Sequence, residues 1–192
     1  MRKLFFIFTV LIIILGLSTL QAQQVKKYQI KSGIITFETT MMMGKFEMKT
    51  KSVVYFDDYG MKECKDTYDD NGLKESFFSD GKNLYLTIYK EKAVYKRGTA
   101  FRGTEYKFDW NEIAPSGKAK KIANMTIVGK NCEAFELKDG GNTNTYAGWN
   151  NICLYLGVSM KNMTTIYKAV KLEENAKVPA DKFKIPAGFT LK

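Results

Sequence analysis

The chain has 192 residues, with 30 Lys and Arg, 20 Asp and Glu, no His and three Cys. The absence of histidine excludes catalysis by an imidazole base and zinc motifs that are built on histidine. Three cysteines are also too few for a four-thiolate zinc site. Hydrophobic residues make up 45% and aromatic residues 14%, which is enough to bury a sizeable core.

The first residues are typical of an export signal. Arg2 and Lys3 precede an apolar run over residues 4–17, which has the length of a signal-peptide core and is short for a membrane span. Small and polar residues follow, and we place the cleavage site after Ala22. The sequence predicts a signal peptide over residues 1–22 and one β-rich domain over residues 23–192; an uncleaved N-terminal anchor is the alternative. No later apolar stretch is long enough to span a bilayer, so we expect no stable membrane span after cleavage.

The positive charge is dispersed. Loss of Arg2 and Lys3 lowers the net charge from +10 to +8, and the remaining cations alternate with acids along the chain. The densest basic run, at residues 118–121, has no flanking aromatic residues on which bases could stack. We therefore expect a solvated basic surface and no nucleic-acid partner, with a loose attraction to anionic lipids or envelope polymers as the alternative.

The mature chain has the pattern of antiparallel β-structure. Polar and apolar residues alternate over 45–49, and Leu84, Leu86 and Ile88 share one face of a strand. Turn sequences rich in Asp, Asn and Gly separate these runs at spacings that favour hairpins. Helix is predicted only in short pieces, at residues 108–113 and 118–124.

Several strands are apolar on both faces, at residues 53–56, 84–89 and 152–156. Either a second layer covers these faces or the sheet curls around an apolar cavity. The run Met41–Met43 bears on the same choice, because successive side chains of a strand alternate and three adjacent methionines do not all enter one core. It indicates either an adaptable apolar surface at a cavity mouth or the end of a strand with methionine as filler.

Candidate reactive groups are few. The acidic segment 66–72 departs from the spacing of a calcium-binding loop and is better explained by hairpin turns. Cys64, Cys132 and Cys153 permit one disulfide, and we favour Cys132 with Cys153 because the two are predicted on neighbouring strands around the turn at 139–141; three reduced thiols are the equal alternative. A catalytic cysteine would lack a histidine base, and the sequence has no nucleophile motif or metal cluster, so we expect no enzymatic activity and no cofactor; an enzyme that uses carboxylates or lysine is the remaining alternative.

Scattered segments resemble a family of secreted proteins of Gram-negative bacteria. They are YQIKSG at 28–33, YFDDYG at 55–60, IVGKNC at 127–132, TYxxW with ICL over 145–154, and FKIPAGF at 183–189. The pattern is similar to the superfamily of periplasmic lipoprotein carriers and receptors that includes LolA, LolB and LppX. The resemblance implies a mostly β fold with minor helix: an antiparallel sheet curled into a half-barrel around an apolar cavity, with one or two short helices as a lid. It also implies a periplasmic or secreted location and a cavity that takes up acyl chains.

The sequence and the resemblance together predict a non-enzymatic periplasmic protein that holds a hydrophobic ligand, a lipid or acyl chain. The predicted cavity residues are Phe37, Phe46, Met48, Leu84, Leu86, Ile88 and Tyr155. The alternative is an envelope module that binds another protein, with a filled core and no small-molecule ligand.

Overall fold

The computed structural model describes residues 26–100 and 119–192. The strands of this part of the chain are β1 (Gly33–Met43), β2 (Phe46–Asp57), β3 (Lys62–Asp69), β4 (Gly72–Ser79), β5 (Asn83–Ile88), β6 (Ala93–Thr99), β7 (Ala119–Ile127), β8 (Lys130–Asp139), β9 (Asn142–Trp149), β10 (Ile152–Met160), β11 (Met163–Glu174) and β12 (Thr190–Leu191). Three single-turn 3-10 helices accompany them, at Asp58–Gly60, Tyr89–Glu91 and Ala180–Phe183.

The strands form one sheet in the order β12-β6-β5-β4-β3-β2-β1-β11-β10-β9-β8-β7. Two meanders, β1 to β6 and β7 to β11, join through the pairing of β1 with β11. Neighbouring strands are antiparallel, except that β12 runs parallel to β6. The sheet is open and curled, which confirms the predicted antiparallel half-barrel.

Turn chemistry positions the hairpins. Gly44 lies in the turn between β1 and β2 with a φ of 61°, a conformation that costs glycine little because it has no Cβ. Between β3 and β4 the Asp69 carboxylate accepts a hydrogen bond from the Asn71 amide at 2.8 Å. Local hydrogen bonds of this kind explain why aspartate-rich segments form turns here and not metal loops.

One predicted helix is wrong. Residues 119–124 belong to β7, which pairs with β8 along most of its length, from Ala119 with Leu137 to Ile127 with Lys130. A helix of so few residues is marginal without tertiary support, whereas the edge of β8 supplies inter-strand hydrogen bonds. The other predicted helix, at 108–113, and the signal peptide at 1–22 lie outside the described residues.

Two buried clusters lie on opposite faces of the sheet. On β2, Val54 belongs to one cluster, while its neighbour Tyr55 packs against the other, and consecutive side chains of a strand point to opposite faces. We call the face of Val54 the first face and the face of Tyr55 the second face. The first-face core includes Ile35, Phe37 and Phe56, and each large side chain removed from water contributes about 1.5–3 kcal/mol.

The C-terminal segment, residues 175–192, covers the second face. Phe183 of the last 3-10 helix is buried with Cys64, Phe78 and Tyr85 of the sheet. The chain then adds β12 to the edge of the sheet, where the Lys192 amide donates to the Val94 carbonyl at 2.8 Å. This segment, which contains one short helix, takes the place of the predicted helical lid.

Candidate functional site

The first face runs without interruption across the β2–β6 half of the sheet. Cross-strand pairs carry it from Val54 to Lys65, from Lys65 to Phe77, and from Phe77 to Leu86. Leu86 in turn pairs with Tyr95 at β6. Side chains that are paired across antiparallel strands lie on the same face, so the core residue Val54 and the β5 leucines belong to one surface.

An apolar stripe lies on the β4–β6 part of this surface. We define the stripe as five large apolar side chains that β4, β5 and β6 place there: Phe77, Leu84, Leu86, Ile88 and Tyr95. Phe77 is 43% exposed and the other four are half-buried. Large apolar side chains that form a continuous, solvent-accessible surface are typical of a binding surface.

The structure divides the predicted cavity residues among several places. Leu84, Leu86 and Ile88 lie together in the stripe. Phe37 instead belongs to the core: it is 3% exposed and its ring stacks on that of Tyr167 with centroids 4.1 Å apart. Other side chains of the protein, Tyr167 among them, thus cover the Phe37 ring, and it does not line an open cavity.

Phe46 and Met48 share the first face but lie at its far end. The pairing of β1 with β2 has no register shift, so Met43 with Phe46 and Met41 with Met48 continue the face of Phe37. The six residues from Ser52, the partner of Phe37, to Phe46 correspond to about 20 Å of strand. Ser52 is aligned with the stripe residue Ile88 through successive cross-strand pairs, so Phe46 and Met48 lie about 20 and 13 Å further along the strand direction, away from the stripe.

Tyr155 of β10 is half-buried and packs against the first-face core, in the β7–β11 half of the sheet. It therefore does not belong to the stripe. Phe77 and Tyr95, which complete the stripe, were not predicted from the sequence. The signal for Phe77 was the pair at 77–78, because two consecutive aromatic residues of a strand serve both faces.

Polar residues of β3 separate the stripe from the first-face core. The Lys65 ammonium lies 4.9 Å from the centroid of the Tyr167 ring. Nearby, the Glu63 carboxylate accepts hydrogen bonds from the Tyr28 hydroxyl at 2.5 Å and from the Lys27 ammonium at 2.8 Å. Burial, reinforced by the Glu63 charge, raises the pKa of Tyr28 well above its ordinary value. An apolar ligand on the stripe would thus end against a charged border.

The second face holds a cavity of about 460 Å³ between the sheet and the C-terminal segment. Its walls combine apolar groups, among them Phe78, Val178 and Phe183, with charged groups such as Asp80 and Lys184. The buried Asp66 carboxylate lies on the same face and accepts hydrogen bonds from the Lys182 ammonium at 2.6 Å and the Ser76 hydroxyl at 2.5 Å. Burial alone would lower the pKa of Lys182, but the Asp66 carboxylate outweighs it and raises that pKa.

The cysteines do not form the predicted bridge. All three are free thiols, and Cys132 and Cys153 are not on neighbouring strands, because β9 lies between β8 and β10. The predicted placement on neighbouring strands was therefore wrong, and three reduced thiols, the equal alternative, are what the structure contains. Burial raises the pKa of the Cys153 thiol to about 11, so the thiol is protonated and weakly nucleophilic at neutral pH.

Neither a metal-binding cluster nor a membrane-spanning helix occurs in the described parts of the chain. No three His, Cys, Asp or Glu side chains at 26–100 and 119–192 come together as they would around a metal ion. Over the same residues, no helix has the length and apolarity to cross a bilayer.

Comparisons with known proteins concern the fold. No protein-family model matches the chain, and no curated protein does. The structure of an uncharacterized conserved protein from Thermus thermophilus is similar, with 7% sequence identity and a TM-score of 0.56. The alignment covers 84% of this chain and 90% of the Thermus chain. A chain of the MucA/MucB complex of Pseudomonas aeruginosa is also similar, with 12% sequence identity and a TM-score of 0.52. The alignment covers 82% of this chain and 56% of the Pseudomonas chain.

The LolA superfamily protein NE2245 of Nitrosomonas europaea is also similar. Its sequence identity is 9% and its TM-score is 0.44, and the alignment covers 82% of this chain and 91% of the Nitrosomonas chain. Other structural neighbours include a lipoprotein-sorting domain and the lipoprotein LppX. These neighbours include proteins named in the resemblance, and at these identities the likeness is one of fold alone.

Proposed function

We propose that this protein is a non-enzymatic binding protein of the cell envelope that holds an apolar ligand, an acyl chain or another lipid, along the stripe. The observation that carries the proposal is the set of five half-buried or exposed apolar side chains on the first face of β4, β5 and β6. Exposure of such a surface to water is unfavourable, and covering it with a ligand contributes about 25 cal/mol of binding free energy for each Å² of apolar area.

The position of the stripe fits a ligand with an apolar body and a polar end. The apolar side chains of β5 alternate with the buried pair Tyr85 and Thr87, so β5 presents one unbroken apolar row to solvent. At the β3 border, Glu63 and Lys65 offer a carboxylate and an ammonium to a headgroup. Few polar groups beside a mostly apolar surface are typical of sites for small amphiphiles.

Export belongs to the same proposal. Residues 1–22 act as a signal peptide, and residues 23–192 form the mature periplasmic or secreted domain. Mass spectrometry of the protein recovered from the envelope fraction tests this directly: the mature mass should begin at Gln23, and retention of residues 1–22 would contradict it.

Native mass spectrometry with lipid extraction tests the ligand. Protein purified from cells should carry a co-purifying lipid, and a hydrophobic dye should compete for the site. Phe77→Glu combined with Leu86→Glu should abolish both signals, because two carboxylates would be buried beneath the ligand. Val170→Glu is the matched control: Val170 is also 43% exposed but lies outside the stripe. The proposal fails if no lipid is found and the dye binds equally to all variants.

A second candidate function is that of a protein-binding envelope module. It is favoured by the filling of the sheet, since Phe37, Phe56 and Leu154 are almost fully buried on one side and Phe183 closes the other. One neighbour of similar fold comes from a complex of two proteins, MucA and MucB. Recovery of a defined protein partner that still binds the Phe77→Glu and Leu86→Glu variant, together with absence of lipid, would favour this function.

A further inference from the structure

A concentration of exposed apolar side chains lies at one end of the sheet. Of the nine exposed large hydrophobic residues in the described parts of the chain, five occur at the turns of two hairpins, with exposures of 37–58%. The five are Met42, Met43, Phe46, Met48 and Met160. The stripe is elsewhere on the sheet, so these residues need a separate explanation.

The two hairpins are neighbours because β1 pairs with β11. Met42 of the β1–β2 hairpin is the partner of Thr164 in the β10–β11 hairpin, so both turns lie at the same end of the sheet. A cavity of about 670 Å³ lies between them, with Met43 and Met160 among its walls. The two turns thus form one continuous surface, which we call the methionine tip.

The methionine tip is apolar on one face. Met41 pairs with Met48, Met43 with Phe46, and Met160 with Met163. Met41 is also the partner of Thr165, which pairs with Val158, so Val158 lies on the first face as well. Met160 and Met163 lie two residues from Val158 and Thr165, and the Met160–Met163 pair therefore shares that face. Six apolar side chains therefore share this end of the first face.

The β1–β2 hairpin extends beyond β3, its neighbour on the β2 side. The first residue of β2 that pairs with β3 is Lys51, so the five residues 46–50 have no partner on that side. Five residues of strand correspond to about 17 Å. Phe46 and Met43 therefore stand clear of the acidic turn that joins β3 to β4, at 69–72.

Each turn carries a lysine between its apolar residues. The turn at 44–45 contains Lys45, between Met43 and Phe46, and the turn at 161–162 contains Lys161, between Met160 and Met163. Neither lysine forms an ion pair with a described residue, whereas Glu47, the acid within the tip, is bound by Lys49 at 2.7 Å. The exposed face of the tip is therefore apolar with a positive rim.

We propose that the methionine tip docks onto an anionic lipid surface, with Met43, Phe46 and Met160 entering the headgroup region and Lys45 and Lys161 binding the lipid phosphates. Flexible thioether side chains adapt to the irregular boundary between headgroups and acyl chains. Apolar burial and attraction to anionic lipids are the two components that hold peripheral proteins at membranes. The chain's net charge of +10, or +8 without residues 1–22, adds a long-range attraction of the same sign.

Vesicle binding by the mature protein tests the docking. The protein should sediment with vesicles of equal parts phosphatidylcholine and phosphatidylglycerol, and much less with phosphatidylcholine alone. Lys45→Glu combined with Lys161→Glu should weaken binding by at least about ten-fold, because an anionic membrane attracts each lysine separately. Lys177→Glu, at an exposed position far from the tip, should weaken binding much less, because it lowers only the long-range attraction of the net charge. Absence of binding to anionic vesicles, including the case in which a protein is the true partner, would overturn the proposal.

A fluorescent reporter distinguishes tip insertion from binding by any other segment, including residues 1–22. Phe46→Trp should show blue-shifted emission and quenching by brominated lipids when vesicles are added. Val170→Trp is the control, because Val170 is also exposed, at 43%, but lies outside the stripe and about 20 Å along β11 from Thr164, the partner of Met42. Equal responses from both tryptophans, or none from Phe46→Trp, would overturn the assignment. Loss of ligand from the stripe would leave both results unchanged, so the two proposals fail separately.

Discussion

The ammonium of Lys182 donates a hydrogen bond to the carboxylate of Asp66 at 2.6 Å, across 116 positions of the sequence. Asp66 belongs to β3 and its side chain is 1% exposed, whereas Lys182 belongs to the C-terminal segment. This pair joins the last residues of the chain to the interior of the second face. Because the Asp66 carboxylate has been removed from water, its charged form is stable in the fold only when the Lys182 ammonium lies beside it.

We expect Lys182→Ala to destabilise the protein by about 3 kcal/mol, because it leaves the Asp66 charge buried without its cation. Lys184→Ala, two residues along and exposed, should change the free energy of unfolding by less than about 0.5 kcal/mol. Urea unfolding measures both. Combining Asp66→Leu with Lys182→Met removes both charges and should cost less than Lys182→Ala alone; equal losses for Lys182→Ala and Lys184→Ala would contradict the role of the pair.

Gly60→Ala should destabilise the protein more than Gly129→Ala. Both glycines have positive φ, 84° and 76°, so both substitutions carry a similar backbone strain. A Cβ at Gly60 would come within 2.6 Å of the Tyr28 ring, whereas one at Gly129 would meet open space. Overpacking of this kind costs about 1–3 kcal/mol. Thermal unfolding of the two variants isolates that difference, and identical midpoints would show that Tyr28 does not pack on Gly60.

Phe56→Ala should cost about 3–5 kcal/mol, because Phe56 is fully buried and its ring packs edge-to-face on Tyr28 with centroids 4.9 Å apart. Phe46→Ala is the matched control, since Phe46 is 58% exposed, and it should change stability by no more than about 0.5 kcal/mol. Denaturant unfolding at neutral pH measures both. Comparable losses would mean that the methionine tip is buried in solution, which would also contradict its proposed docking role.

Stability should fall in alkali. Burial raises the pKa of Cys153 from 9.0 to about 11, and burial raises the pKa of Tyr167 from 10.0 to about 12. Both groups keep their protons longer in the folded state than in the unfolded state, so their contribution to stability is complete below pH 9 and is lost as the pH rises towards 12.

The free energy of unfolding, measured under reducing conditions at successive pH values above 8, tests this expectation. Cys153→Ala should make the decrease between about pH 9 and 11 smaller without removing it, because burial also raises the pKa values of the Cys64 and Cys132 thiols. A stability that stays constant up to pH 11 in the unmodified protein would show that these side chains are not buried in solution.

The sequence pattern correctly predicted which side chains of a strand share a face. Leu84, Leu86 and Ile88 share a face because strand side chains alternate, whatever the strand pairs with. The burial of Phe37 required more, because the ring that covers it belongs to Tyr167, and no local pattern links positions so far apart. The misplaced helix at 118–124 has a related cause, since the hydrogen bonds of β8 decide in favour of a strand.

By itself, the sequence determined the antiparallel strands, the position of the turns and the two-sided apolar character of β2, β5 and β10, since each depends on residues that are close along the chain. Only the tertiary structure decided which apolar surface is filled. Pairing of β1 with β11 brings Tyr167 onto Phe37, and the return of the C-terminal segment places Phe183 over Cys64. Both are contacts between distant positions whose free energy appears only when the whole sheet has formed, and what they leave uncovered is the stripe and the methionine tip.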